Sequence, residues 1–177
     1  RANAHRHLRL RRSPVRVGLI SDTHGMVRPE ALDALKGADL ILHAGDVGKQ
    51  AVVEQLRQVA PVEVVRGNVD RTHPLAALPE RRQLQLAGWR VLLVHDRGQV
   101  APEEALGVDV VVYGHSHKPL VTPGTPLWAN PGSAGPRRFS LPVSVGWLEL
   151  SGSVPRASLQ RLCLPGVDTK RVKPGSA

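Results

Sequence analysis

Val15-Arg-Val-Gly-Leu-Ile20 followed by Ser21-Asp-Thr-His-Gly25 is the stretch on which the fold turns. A short apolar run reads as a buried strand, and the residues that close it carry chemistry. The same sentence repeats along the chain. Leu40-Ile-Leu42 runs into His43-Ala-Gly-Asp46, and Val64-Val-Arg66 into Gly67-Asn-Val-Asp70. Leu92-Leu-Val94 runs into His95-Asp96, and Val111-Val-Tyr113 into Gly114-His-Ser-His117. In open α/β sheets ligands bind outside the carboxyl ends of the strands. One crevice therefore collects Asp22, His24, Asp46, Asn68, His95, His115 and His117.

Between these runs the pattern predicts helices at Pro29–Lys36, with Gly37 after its end, and at Lys49–Val59, where Val52, Val53, Leu56 and Val59 share a face. Strands are predicted at 15–20, 38–43 and 62–66. A βαβαβ opening of this kind argues for parallel strands with helical crossovers. The second half turns β-rich. A hairpin is predicted around Gly88-Trp89, a short helix at Pro102–Leu106 and a strand at Asp109–Tyr113. Thr122–Thr125 reads as turn, with strands at Leu127–Ala129, Val143–Leu150 and Arg156–Cys163. The implied class is α/β, with two sheets face to face and helices outside.

The chain has 177 residues, room for one domain with a sizeable core. Its net charge is +9, but the excess sits at the ends. Residues 1–14 carry five Arg and no acid, and residues 169–177 carry Lys170, Arg171 and Lys173 and no acid. The remaining sixteen basic residues face all 15 acidic ones, so the domain predicted at 15–168 is nearly neutral. Two readings of the ends stand: solvated flexible tails, or tails that cling to a polyanion. Nucleic-acid contact is expected through them alone. Five aromatics are too few for a base-stacking platform. Apolar runs are too short to span a bilayer, and no signal sequence is predicted. The single cysteine, Cys163, excludes an intrachain disulfide and points to the cytoplasm. Oligomeric state stays open.

Imidazole with carboxylate suits Mn, Fe, Zn, Ni or Co better than Ca or Mg. Seven candidate ligands exceed what one ion takes but suffice for two. Such a pair attracts phosphate esters and activates water between the ions.

The ordered set resembles the calcineurin-like metallophosphoesterases. The residues that carry it are Asp22-x-His24, Gly45-Asp46, Gly67-Asn68-x-Asp70, a lone His95 after a strand, and Gly114-His115-x-His117. Asn130-Pro-Gly-Ser133 and the Asp-Thr-His-Gly opening are most similar to the small bacterial and archaeal phosphodiesterase branch. The resemblance spans about Val15 to Leu150. It implies a four-layer α-β-β-α sandwich and two divalent ions, commonly Mn2+. It implies that Asp22, His24 and His117 hold the first ion, that Asn68, His95 and His115 hold the second, and that Asp46 bridges. A bridging hydroxide held at Asp46 would attack a small aryl or cyclic-nucleotide-like phosphodiester. The alternative is a non-catalytic protein-binding scaffold, as in the retromer small subunit, which uses a similar fold without a full set of ligands.

Two positions depart from the pattern. Val69 stands where many relatives carry a proton-donating His. Asp96 stands where the small branch has glycine; it is read either as an acceptor behind a ligand imidazole or as a solvated loop carboxylate. His43 is read either as touching substrate or as packed behind a ligand. Asp70 is read as ordering the Gly-Asn loop.

Overall fold

The computed structural model describes residues 15–138 and 140–165. Strand β1 (Val15–Ile20) lies at the centre of the first sheet. Its side chains alternate as the strand period demands. Val15, Val17 and Leu19 face a core shared with the second sheet, while Ile20 joins the apolar layer under the helices. Parallel neighbours on one side are β2 (Leu40–His43) and β3 (Val62–Val64). On the other side lie antiparallel β9 (Ser144–Leu150) and then β10 (Arg156–Arg161).

The crossovers are α1 (Pro29–Ala34) and α2 (Gln50–Arg57). Pro29 opens α1, where its missing N–H costs no hydrogen bond. Val52, Val53 and Leu56 line the buried face of α2 and pack on Ile41 and Val64. Full burial of each such side chain contributes about 1.5–3 kcal/mol. Both helices are shorter than the pattern predicts, since their flanking residues close as capping turns.

The second sheet runs β4-β5-β6-β8-β7. Its strands are β4 (Arg81–Leu86), β5 (Trp89–Val94), β6 (Val110–Val112), β7 (Leu120–Thr122) and β8 (Leu127–Asn130). β6 is parallel to both β5 and β8, so this sheet too is mixed. The β4–β5 turn is Ala87-Gly88, both at positive φ, as a tight hairpin requires. Trp89, placed in the turn by sequence, is the first residue of β5 and pairs with Leu86. Thr122, read as the start of a turn, closes edge strand β7, which the sequence reading did not contain.

Sixteen buried residues fill the space between the sheets, among them Leu42, Val65, Leu93, Val112 and Leu148. The α-β-β-α order is therefore present, but its fourth layer is thin. α3 (Pro102–Leu106) buries none of its residues. Arg97 helps to cover that face, its guanidinium 5.5 Å from the Tyr113 ring centre and 5.0 Å from that of Trp128. The arm expected at 1–14 and the tail expected at 169–177 lie outside the described residues.

Candidate metal centre

β1, β2 and β3 are parallel, and so are β5 and β6, so all five run out at one end of the sandwich. Their loops are sewn together by backbone. Asp22 N–H donates to Gly45 O, His24 N–H to Asp46 O and Gly114 N–H to His95 O, at 2.9–3.0 Å. Among the described residues six non-glycine residues have positive φ, and five of them are Asp22 (53°), His24 (47°), Asp46 (54°), His115 (68°) and His117 (58°). An L-residue held there costs about 1 kcal/mol or more. That strain sits on residues singled out by chemistry, and it turns their side chains into one space.

Asp46 lies in the middle. Its Oδ2 is 3.9 Å from His24 Nε2 and its Oδ1 3.4 Å from His95 Nε2. On one side His24 Nε2 and His117 Nε2 are 3.2 Å apart, and His117 Nε2 is 3.2 Å from Asp22 Oδ1. On the other, His95 Nε2 is 3.0 Å from Asn68 Oδ1 and 3.3 Å from His115 Nδ1. Ligand atoms of Asp22, His24 and His117 lie within 4.8 Å of one another, as do those of Asp22, Asp46 and His95. The seven predicted residues thus meet, and Asp22 stands close to both groups.

The donor set fits cations. Asp22 Oδ2 accepts from the Ser21 hydroxyl and the His115 amide, but buried Oδ1 has no hydrogen-bond partner. Buried His117 Nδ1 has none either. His95 Nδ1–H donates to the Ala44 carbonyl at 2.7 Å, which turns Nε2 toward the oxygens of Asp46 and Asn68. Burial alone would raise the Asp46 carboxyl; bonds from His95 and the Val69 amide outweigh it and hold it down at about 2. Burial likewise works against a charged His95, but Asp46 and the Ala44 carbonyl push its pKa up. For His24 burial wins over Asp46 and, with Arg138 adding to it, moves the pKa down.

Two glycines make this closeness possible. A Cβ on Gly67 would overlap the Asp46 carboxylate and amide, and one on Gly114 would overlap the Ser21 hydroxyl.

The remaining candidates lie around this centre. His43 is fully buried and touches no open space. Its Nδ1 accepts from Gly45 N–H at 3.2 Å, so its Nε2–H donates to Thr23 Oγ1 at 2.9 Å, and Thr23 donates on to Val47 O. Burial drives its pKa down to about 4, and the ring is neutral. Asp70 accepts from the amides of Gly67, Val47 and Gly48 and so clamps the β3 loop to the β2 loop. Asp96 accepts from Gly98 N–H and caps the 3-10 turn at Arg97–Gln99. Val69 donates its amide to Asp46 at 3.1 Å and leaves its side chain 44% exposed.

By composition Asn130-Pro-Gly-Ser133 reads as a turn. Asn130 is in fact buried at the end of β8, and its amide donates to Gly114 O and to Ser116 Oγ, fixing the His115–His117 loop. Ser133 Oγ donates to Asp22 O. An asparagine at a strand end, held by Pro-Gly, was the available signal. Trp128 packs on Tyr113. A cleft of about 310 Å3 opens on the Asn68 side, lined among others by Arg66, Arg71, Glu80, His95, Asp96 and His115.

Known proteins share this sequence pattern and this fold. A probable metallophosphoesterase of Methanothermobacter thermautotrophicus is 36% identical over 165 residues, covering 84% of this chain and 94% of its own. A solved archaeal phosphodiesterase superposes with a TM-score of 0.68 at 20% identity, covering 82% of this chain and all of its own. A Vps29 single mutant from Entamoeba histolytica superposes with a TM-score of 0.67 at 22% identity, covering 84% and 100%. At those identities the two structures speak for the fold alone. The family model for the calcineurin-like phosphoesterase superfamily domain matches residues 15–153. Motifs, sandwich and relatives together mean that the chain belongs to the calcineurin-like phosphoesterase superfamily.

Proposed function

We propose that the protein is a metal-dependent phosphodiesterase of small esters, working with two divalent ions, Mn2+ first among the candidates. One observation carries the reading: Asp22, His24 and His117 gather on one side of Asp46, and Asn68, His95 and His115 on the other. Each trio would hold one ion and Asp46 both. When bound, such a pair acidifies water and neutralises charge on the phosphoryl oxygens. The chain's own part is to hold these ligands rigid. Ala44 orients His95, Asn130 holds the His115 loop, and Asp70 ties the Asn68 loop to the Asp46 loop.

A diester substrate is compatible with the fold, which an archaeal phosphodiesterase shares. The near-neutral domain favours a small ester over long nucleic acid. At Val69 the side chain has no proton to give, so leaving groups that need little protonation are expected to react best: aryl and cyclic esters over alkyl ones. Equal rates on alkyl and aryl diesters would count against this. The exposed, unpaired Cys163 thiol suits a reducing cytoplasm, where we place the protein.

The Vps29 fold favours a second reading, a protein-binding scaffold. Ligand completeness separates the two, since all seven positions here hold metal-capable groups. The test is metal content and hydrolysis of bis-p-nitrophenyl phosphate on one preparation, with and without Mn2+, beside Asp46→Ala. About two ions per chain, with turnover lost in the variant, supports the enzyme. No metal uptake and no turnover after reloading sinks it and favours the scaffold.

A further inference from the structure

We infer that Arg71 makes this site selective for phosphodiesters that carry a second phosphate on the organic group. The inference rests on the phosphodiesterase reading and narrows its substrate. The cleft beside Asn68, His95 and His115 has two arginines in its wall, and they are used differently. Arg66 is engaged: one amino group pairs with the Glu80 carboxylate and the other reaches the Ala76 carbonyl. Arg71 is not. Its Nε–H donates to the Asn68 carbonyl at 2.7 Å, and among the described residues its two terminal amino groups have no hydrogen-bond or ion-pair partner.

That Nε bond fixes the root of the guanidinium and leaves the fork open. The loop that bears it is rigid. Asp70 takes the Gly67 amide at 2.8 Å and binds two amides of the β2 loop, while the Arg71 amide donates back to Val69 O at 2.9 Å. A guanidinium offers a phosphate two parallel N–H donors, which a single ammonium does not match. The carboxylates in the same wall have other partners, Asp70 taking three backbone amides. Glu80 is paired with Arg66, and one oxygen of Asp96 is held by Gly98 N–H at 2.8 Å. The cleft volume of about 310 Å3 is at the lower end of ordinary ligand sites, enough for a nucleoside-sized group.

Because Arg71 also props Asn68, a merely structural role must be told apart. The probes are thymidine 5'-(p-nitrophenyl phosphate) and its 3'-phosphorylated analogue, hydrolysed by the Mn2+-loaded full chain at fixed ionic strength. The expected result is a KM lower by about tenfold for the 3'-phosphorylated ester, the usual size of a charge-assisted contact. Arg71→Ala should abolish that difference, and Arg71→Lys should keep part of it. No preference in the wild type overturns the inference, as does an equal loss on both esters in Arg71→Ala. In parallel, calorimetry compares thymidine 3',5'-bisphosphate with thymidine 5'-phosphate. If neither ester turns over, the phosphodiesterase reading fails, and this binding comparison still decides. Tighter bisphosphate binding that disappears in Arg71→Ala upholds the anion site, and equal binding of the two nucleotides refutes it.

Discussion

The two trios on either side of Asp46 are built on different principles. Around Asn68, His95 and His115 the polar atoms are already engaged. His95 uses Nδ1 on the Ala44 carbonyl and turns Nε2 to Asn68, and the Asn68 carbonyl takes a bond from Arg71. Around Asp22, His24 and His117 the backbone is left-handed at all three residues, and Asp22 Oδ1 and His117 Nδ1 are buried without a hydrogen bond. One trio has its polar atoms engaged by the protein; the other keeps two buried polar atoms without a hydrogen bond. A buried carboxylate oxygen without a hydrogen bond costs free energy that a bound cation would recover. Part of the affinity of such a site is stored as strain in the fold.

Asp46 is common to both trios, so Asp46→Ala should have the largest effect. A loss on the order of 10^3-fold or more in kcat for bis-p-nitrophenyl phosphate is expected. A variant retaining a tenth of the activity would break the two-ion picture. Gly67→Ala comes next, since its Cβ overlaps the Asp46 carboxylate and amide. The backbone must shift, at about 3 kcal/mol measured by urea unfolding. An unchanged midpoint would mean that the Asn68 loop is looser than its three-amide clamp implies.

His43 tests the framework behind both trios. Its pKa is about 4 in the fold and 6.5 in a free chain. The unfolded state therefore takes up the proton first, and stability falls as pH drops from 6.5 towards 4. Between pH 7.5 and pH 5 the wild type should lose about 2 kcal/mol more than His43→Gln, read from paired unfolding curves. Parallel curves would show that the ring ionises without cost.

Asp22→Asn sharpens the contrast directly. In chelator-treated protein it should raise stability by about 1 kcal/mol, because one of two carboxylates crowded into a buried centre is neutralised. His95→Ala should lower it, because two made bonds are lost. Both should reduce the rise in melting temperature that Mn2+ produces in the wild type. If Asp22→Asn destabilises the chelated protein, the difference between the trios is not real. The smallest effect is expected for Asp96→Ala, about 1 kcal/mol from loss of a cap, with turnover unchanged.

How far the sequence reached is clear from particular residues. A short apolar run placed β1 at Val15–Ile20, and the 3.6-residue repeat placed Val52, Val53 and Leu56 under α2, because both signals are local. Edge strand β7 was not legible. Its three residues are largely exposed and owe their strand geometry to pairing with β8, so no periodic apolar signal marks them. The family followed from the order of motifs, since each closes a strand and parallel strands end together.

By itself, then, the sequence determined which side chains stand at strand ends, the α/β class and the family. Only the tertiary structure decided what each polar residue does once there. His43 became an internal brace and Asn130 a support of the His115 loop, because their hydrogen-bond partners come from loops far apart in the chain. The different state of the two trios also belongs to tertiary structure. Whether a carboxylate oxygen is paired or orphaned depends on which donors the other strands bring within 3 Å, and no local pattern encodes that.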